Sequence, residues 1–425
     1  AEKITTEKGK LDLSDMTVFV DPKAEWKQIF DESWRQMRDF VYDPNLHGVD
    51  WKAMKQKYEE LLPYCKHRFD LTYIIGEMIG ELNVGHAYVG GGDMPKVEPV
   101  PIGLLGAEFE YDNQSGFYKI AKTFKGRNWE ETTRSPLTEP GINVKVGDYI
   151  LEIDGVPLNR ETTPYQALVN KAEKYVKIKV NSKPSFDGAR EYTVKTLSNE
   201  AGLRYLDWVE YNRNYVEKKT NGRIGYIHIP DMGIDNGLNE FVKYFYPQVR
   251  KEGLIIDDRF NGGGNVSPMI IERLRRILVV AKNARNQEIV TTNPDAVMTG
   301  PMVCLVNELS ASDGDLFPYQ FKTLGIGKVI GKRTWGGVIG IRGSLPFLDG
   351  GYLMKPEFAN FGADGRWILE GEGLTPDVEV DNDPALENQG IDQQLDKAIE
   401  VIMEELKTNT KPQIPKVPPY PIKSK

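Results

Sequence analysis

Between Trp26 and Leu82 the apolar residues recur at helical spacing in three stretches parted by polar turns, which predicts a small helical bundle. The first stretch carries Trp26, Phe30, Trp34, Met37 and Phe40, the second Trp51, Met54, Tyr58 and Leu61, the third Leu71, Ile74, Ile75, Met78 and Leu82. Asp50 and Asp70 stand immediately before the second and third, where a carboxylate can accept from the free N–H groups of a first turn. The string ELNVGHAYVGGGDM then breaks the pattern and puts His86 on a turn or strand start just past a helix end. From about Pro101 to Leu197 the period drops to two: FEYDNQSGFYKIA is a pair of alternating runs around a polar turn, and VGDYILEIDGVPL a strand leading into an Asp154–Gly155 turn. A helical patch around Tyr165 to Ala172 and the alternation Val176, Ile178, Val180 complete this block. From about Gly222 strands alternate with helices, as in an α/β layer built by crossover units. RIGYIHI, GLIIDDRF and PMVCLV read as strands. Leu238, Phe241, Val242 and Phe245 mark a helix, and Leu395, Ile399, Ile402 and Leu406 the apolar face of a final one. The closing KPQIPKVPPYPIKSK is too rich in Pro and Lys to pack as either and reads as an extended arm.

At 425 residues the chain is long enough for two or three domains, at about one per 150 residues. With 40% hydrophobic and 27% charged residues its composition is that of a soluble globular protein, and no run approaches the roughly 20 apolar residues a spanning helix needs. A net charge of -8 supplies no basic footprint for phosphates, so nucleic acid is not an expected partner. Cys65 and Cys304 form no CxxC or Cys/His cluster, which argues against a disulfide framework or zinc site, and both read as buried small hydrophobes. The opening AEKITTEKGK lacks the apolar core of a signal peptide, but a processed or truncated chain could begin the same way, so compartment stays open.

Candidate chemistry concentrates in a few strings. In NELSASDGDLFPYQF an apolar strand stops at Asn307 and small residues precede a helical run, so Ser312 sits at a strand-to-helix turn. A serine there can present its hydroxyl beside the N–H groups that follow it, as a nucleophile next to an oxyanion hole; alternatively Ser310 and Ser312 merely cap the helix. DDRFNGGGNVSPM also ends a strand, and its glycines leave backbone N–H groups open to an anionic oxygen, or simply make a tight turn. No GK[ST] follows, which disfavours phosphate cradling. Of four histidines only His86 has glycine-rich neighbours, and it is the candidate base. A carboxylate partner could come from RWILEGEGLTPDVEV as Glu370 or Glu372, unless these are ordinary solvated charges.

The block from Gly147 to Ala172 resembles a PDZ domain: Gly-Asp, a hydrophobic strand, Asp-Gly, a short strand and a helix. The opening DPKAEWKQIFDESWRQMRDFVYDPNLHGVDW, the His86 loop, this block, RFNGGGN, SASDGD and EGEGLTPD follow in the order expected of the tricorn core protease family, a tail-specific type of serine peptidase, and the resemblance covers nearly the whole chain. It implies Ser312 as nucleophile, Asp313 and either Gly263 or Gly264 as oxyanion donors, and Glu370 as the support of His86. The family carries serine directly before the histidine, linking glutamate to imidazole, whereas this chain has Gly85, so the relay could be water-filled, direct or broken. The family's propeller domains have no counterpart here, and the chain would correspond to the catalytic half.

The fold expected is α/β multidomain: a helical domain over 1–98 carrying the histidine, a PDZ-like β domain over 99–200, and a crotonase-like α/β peptidase domain over 201–425. Its expected activity is hydrolysis of peptides or unfolded polypeptide through an acyl-enzyme, without metal or organic cofactor, and with homo-oligomerisation open. The resemblance implies a cytoplasmic location, with export not excluded. Rival readings are a peptide-binding module whose protease has decayed, with Gly85 as the sign, and an acyl-CoA enzyme of the crotonase type.

Overall fold

The computed structural model describes residues 9, 11–287, 289–411 and 413–423. The opening AEKITTEKGK therefore lies outside them except for Gly9, as do Pro412, Ser424 and Lys425 of the arm.

Asp21 accepts from Lys23 and Ala24 and starts helix α1 (Pro22–Phe40); Asp50 does the same for α2 (Trp51–Glu59). The third helix, α3 (Arg68–Gly80), begins earlier than its apolar pattern suggests: His67 is the cap, and Asp70 sits inside the first turn, reaching back to the Lys66 and His67 N–H groups. Ile29, Phe30, Met37, Trp51, Leu71, Ile75 and Met78 interlock as the bundle's core. Beyond α3 the chain bends at His86 into strand β1 (Tyr88–Gly90).

The second block is an antiparallel sheet of β2 (Ala107–Asp112), β3 (Phe117–Thr123), β4 (Tyr149–Ile153), β6 (Tyr175–Asn181) and β7 (Arg190–Lys195), in that spatial order, with β5 (Val156–Pro157) folded back on β4. The helical patch is shorter than its sequence suggested: α4 spans Pro164–Ala167, boxed by Thr163 and Gln166, and Asn170 and Glu173 then take positive φ, ending the helix.

Helix α5 (Ala201–Lys219) leads into the third block. A parallel sheet runs in the order β16 (Val378–Glu379), β13 (Gly327–Gly331), β12 (Met302–Val306), β9 (Gly253–Asp257), β8 (Ile224–His228). Alternate strand residues face opposite layers. Leu254, Ile256, Met302 and Cys304 pack on α6 (Asn239–Phe245), α7 (Ser267–Leu274) and α8 (Asp313–Thr323). Ile255, Val303 and Leu305 pack on α5 and α10 (Gln393–Glu405), which follows the short α9 (Pro384–Glu387). Such two-sided burial is why these strands read as unbroken apolar runs. Leu238, expected in a helix, lies in the widened turn Ile234–Leu238 that leads into α6. A hairpin of β10 (Val280–Lys282) and β11 (Thr291–Asn293) projects before β12.

A small third sheet places the site. Strand β15 (Tyr352–Phe358) pairs with β14 (Gly340–Arg342) on one side and with β1 on the other, so a late strand reaches back to the first domain. Phe347 and Leu353 enter the helical core, and the buried Arg68–Asp349 pair, 2.5 Å apart, closes the junction.

Candidate active site

All strands of the parallel sheet point their carboxyl ends the same way, so the loops after β9 and β12 emerge side by side, where open α/β sheets bind ligands. After β12 the turn is locked from within. Ser310 is fully buried, its hydroxyl donates to the Asp258 carbonyl at 2.8 Å, and it accepts from the Asn307 N–H at 3.1 Å. Two residues on, Ser312 holds φ 58° and ψ −117°, a conformation disfavoured for a side chain with a Cβ and costing about 1–3 kcal/mol. It occupies the position before α8 yet makes no side-chain capping bond, so the hydroxyl is not spent on the helix. The Asp313 N–H at the head of α8 has no acceptor among the described residues, while the Asp313 carboxylate is turned away onto the Ser267 N–H and hydroxyl at 3.0 and 2.5 Å.

The loop after β9 lies against this turn. Asn261 organises it: the side-chain amide donates to Ile229 O and Asp258 Oδ1, Oδ1 accepts from the Gly263 N–H at 2.9 Å, and the carbonyl accepts from Ala311 at 2.8 Å. A Cβ on Gly263 would stand 2.6 Å from Ser312 Cβ and 3.0 Å from the Asp313 nitrogen; one on Gly264 would stand 2.2 Å from the Met232 carbonyl. Both glycines have positive φ. Of the two candidates that the sequence left open, Gly263 has its N–H occupied by Asn261, and Gly264 has an N–H with no acceptor among the described residues.

His86 arrives from the other domain, held by β1. Its Nδ1 lies 2.8 Å from the Ile339 carbonyl and its ring meets Trp335 and Tyr88 edge-on. A carbonyl only accepts, so Nδ1 carries the hydrogen, which in a neutral imidazole leaves the lone pair on Nε2. The imidazole and the Ser312 hydroxyl share no hydrogen bond. Glu370 makes no direct hydrogen bond to His86. Its Oε2 accepts from Val338 and Ile339 N–H at 2.8 and 3.1 Å, and its Oε1 from Gly85 N–H at 3.2 Å. Glu372 is exposed. The Val338–Ile339 backbone thus lies between carboxylate and imidazole, donating to one and accepting from the other.

Three buried acids, Asp257, Asp258 and Asp315, escaped sequence reasoning. Asp258 is wholly buried, and burial, with Asp257 beside it, pushes its carboxyl well above the usual range; Oδ2 has no hydrogen-bond partner among the described residues. Burial likewise opposes charge on Asp257, but the Arg259 guanidinium overrides it and holds that carboxyl below its usual value. Asp315, on the first turn of α8, accepts from the Gly336 N–H at 2.8 Å, and burial raises its carboxyl too. The repeated Asp in SASDGD was the available signal. No group of three or more His, Cys, Asp or Glu among the described residues could hold a metal ion.

The sequence model described as peptidase family S41 matches residues 223–380, and those for the tricorn protease PDZ and C1 domains match 103–199 and 22–80. Fold and matches together define the class: the α/β layer is a domain of peptidase family S41. Within it, the chain belongs to the tricorn protease family. It is 39% identical, over 94% of its length, to the tricorn protease homolog of Saccharolobus solfataricus and 36% identical, also over 94%, to the tricorn protease of Thermoplasma volcanium, covering 36% and 38% of those proteins. A crystal structure of the tricorn protease matches with a TM-score of 0.86 at 37% identity, over 92% of this chain and 37% of the other. The chain spans less than half the length of the curated tricorn relatives it matches.

Proposed function

We propose that this chain hydrolyses peptide bonds through an acyl-enzyme on Ser312. The observation that carries the reading is the Ser312 turn: a strained, uncapped serine beside two unspent amides, those of Asp313 and Gly264. Ser312 Oγ attacks the scissile carbonyl while His86 Nε2 takes its proton, and the Asp313 and Gly264 N–H groups receive the oxyanion. Collapse breaks the C–N bond, and His86 returns the proton to the departing amine. Water then attacks the ester with His86 again accepting a proton, which passes to Ser312 as the acid leaves.

Glu370 acts at one remove. By accepting both N–H groups of the Val338–Ile339 turn it fixes the Ile339 carbonyl that holds Nδ1–H, so the imidazole keeps its tautomer without a hydroxyl at residue 85. This speaks against decay as the meaning of Gly85. Substrates are peptides or unfolded chains, since β2 is a sheet edge in a PDZ-like domain and such domains take extended chains by strand addition. A peptide library with mapped products tests this. Cleavage by the chain and none by Ser312→Ala is expected; equal cleavage by both would refute the assignment, and tight coenzyme A binding without cleavage would favour the acyl-CoA alternative.

A further inference from the structure

Resting on that reading, we propose that Asp315 is a positioning residue that sets His86 against Ser312 through the strap Thr334–Ile339. Nucleophile and base come from different domains, and their mutual placement must be carried by something touching both. The strap does so. At its start Trp335 N–H donates to Ser310 O at 3.0 Å, and Gly336 N–H donates to Asp315 Oδ1 at 2.8 Å. At its end Ile339 O receives His86 Nδ1, and Val338 and Ile339 bind Glu370. Its middle is pinned to the Glu370 turn: Gly371 N–H donates to Gly336 O at 2.7 Å, and a Cβ at Gly336 would stand 2.6 Å from the Gly373 nitrogen.

Asp315 is the side chain that holds this clamp at the Ser312 end. It is fully buried, three residues after Ser312 and in the first turn of the helix that Ser312 precedes, so its carboxylate moves with the nucleophile as a rigid unit. A buried amide such as that of Gly336 needs an acceptor, and without Asp315 the strap would shift to find one. That shift would displace the Ile339 carbonyl and, with it, the imidazole, while leaving the Ser312 turn and its amides in place. Asp315 touches neither substrate nor the reacting atoms, so its loss should appear in kcat rather than KM.

The test compares Asp315→Ala with Asp315→Asn, which keeps an acceptor oxygen of the same reach. Peptide kinetics are read alongside the imidazole Nδ1–H proton resonance, assigned by its disappearance in His86→Ala. The expected result is that Asp315→Ala lowers kcat at least about tenfold at unchanged KM, a displacement of order 1 Å being able to cost more, and loses the resonance, while Asp315→Asn keeps both. A folded Asp315→Ala with normal kcat and resonance would overturn the proposal. Should Asp315→Ala fail to fold, Asp315→Asn decides: the resonance retained, with kcat within about threefold of the parent, sustains it, and loss of either in a folded protein overturns it. The resonance is independent of turnover, so a chain that cleaves nothing would refute the proposed activity and still test the strap.

Discussion

Gly262, Gly263 and Gly264 are consecutive and chemically identical, yet they differ in what a methyl group would do. At Gly262 a Cβ meets nothing within 4 Å and φ is not positive; at Gly264 it would strike the Met232 carbonyl and displace the free amide. Gly262→Ala should therefore leave kcat near that of the parent, whereas Gly264→Ala should lower it by about 100 to 1,000-fold, the usual cost of one oxyanion donor. Steady-state kinetics on one peptide checks both, and a loss at Gly262 equal to that at Gly264 would place the donor elsewhere. Gly85 offers a second contrast. Its φ is not positive, and a Cβ there would sit 3.8 Å from Glu370 Oε1, leaving space for a serine hydroxyl to reach the carboxylate. Gly85→Ser should raise kcat/KM by giving His86 a second support, and the gain should vanish in a Glu370→Gln background. Additivity in that double-mutant cycle would mean residue 85 and Glu370 do not share a relay. Asp258 supplies the pH argument. Its folded carboxyl is raised above the ordinary 3.8, so between that value and the raised one the folded chain binds more protons than the unfolded chain, and stability falls as pH rises through this window. Asp258→Asn removes the titration. Its thermal midpoint relative to the parent should be more favourable at pH 8 than at pH 4, and an equal difference at both would contradict the raised carboxyl.

At the scale of elements, long periodic stretches were legible because their periodicity reports one buried face: α1 and α2, the β2–β3 and β4–β5 hairpins, and strands β8, β9 and β12 lie where the pattern puts them, and α3 does so apart from its earlier start. The α4 patch was overread because Leu168 and Val169 continue an apolar spacing that positive φ at Asn170 interrupts. Asp70 was misplaced as a cap because a residue at the third helical position can answer the same N–H groups from inside. Less legible were β13 to β15 and the strap, whose glycines, prolines and polar residues carry no period; they are held by pairing with distant segments. Of the site, the strings carrying Ser312, His86 and Glu370 stood out, but that a backbone turn would separate His86 from Glu370 could not be read from residue types. The β1–β15 junction makes a prediction of its own. Arg68 and Asp349 have side chains only 1% and 3% exposed. Asp349→Ala strands a buried guanidinium and should cost about 3–5 kcal/mol in denaturant unfolding, with activity falling as β1 and His86 loosen. A change within about 0.5 kcal/mol, the range of an inconsequential surface substitution, would show that the junction is held by β pairing alone.

Taken as a whole molecule, the chain draws the residues of the candidate site from two bodies. The α/β layer contributes the Ser312 turn, the Gly264 amide and the strap; the helical body contributes His86, and takes Phe347 and Leu353 from the far side of the α/β sequence into its core. The PDZ-like sheet is inserted between them in sequence and packs through Phe124 and Leu197 on Leu203 of α5, with Arg127 stacked on Tyr244 of α6. In this layout the candidate base and nucleophile arrive from separate bodies and are tied together by the strap, and the half-buried, uncapped hydroxyl of Ser312 is where the proposed chemistry begins. Labelling with an active-site-directed serine probe such as a fluorophosphonate, followed by peptide mapping, measures it most directly. Stoichiometric modification at Ser312 is expected, slowed in His86→Ala and absent in Ser312→Ala. Modification at another residue, or none in a folded chain, would contradict it.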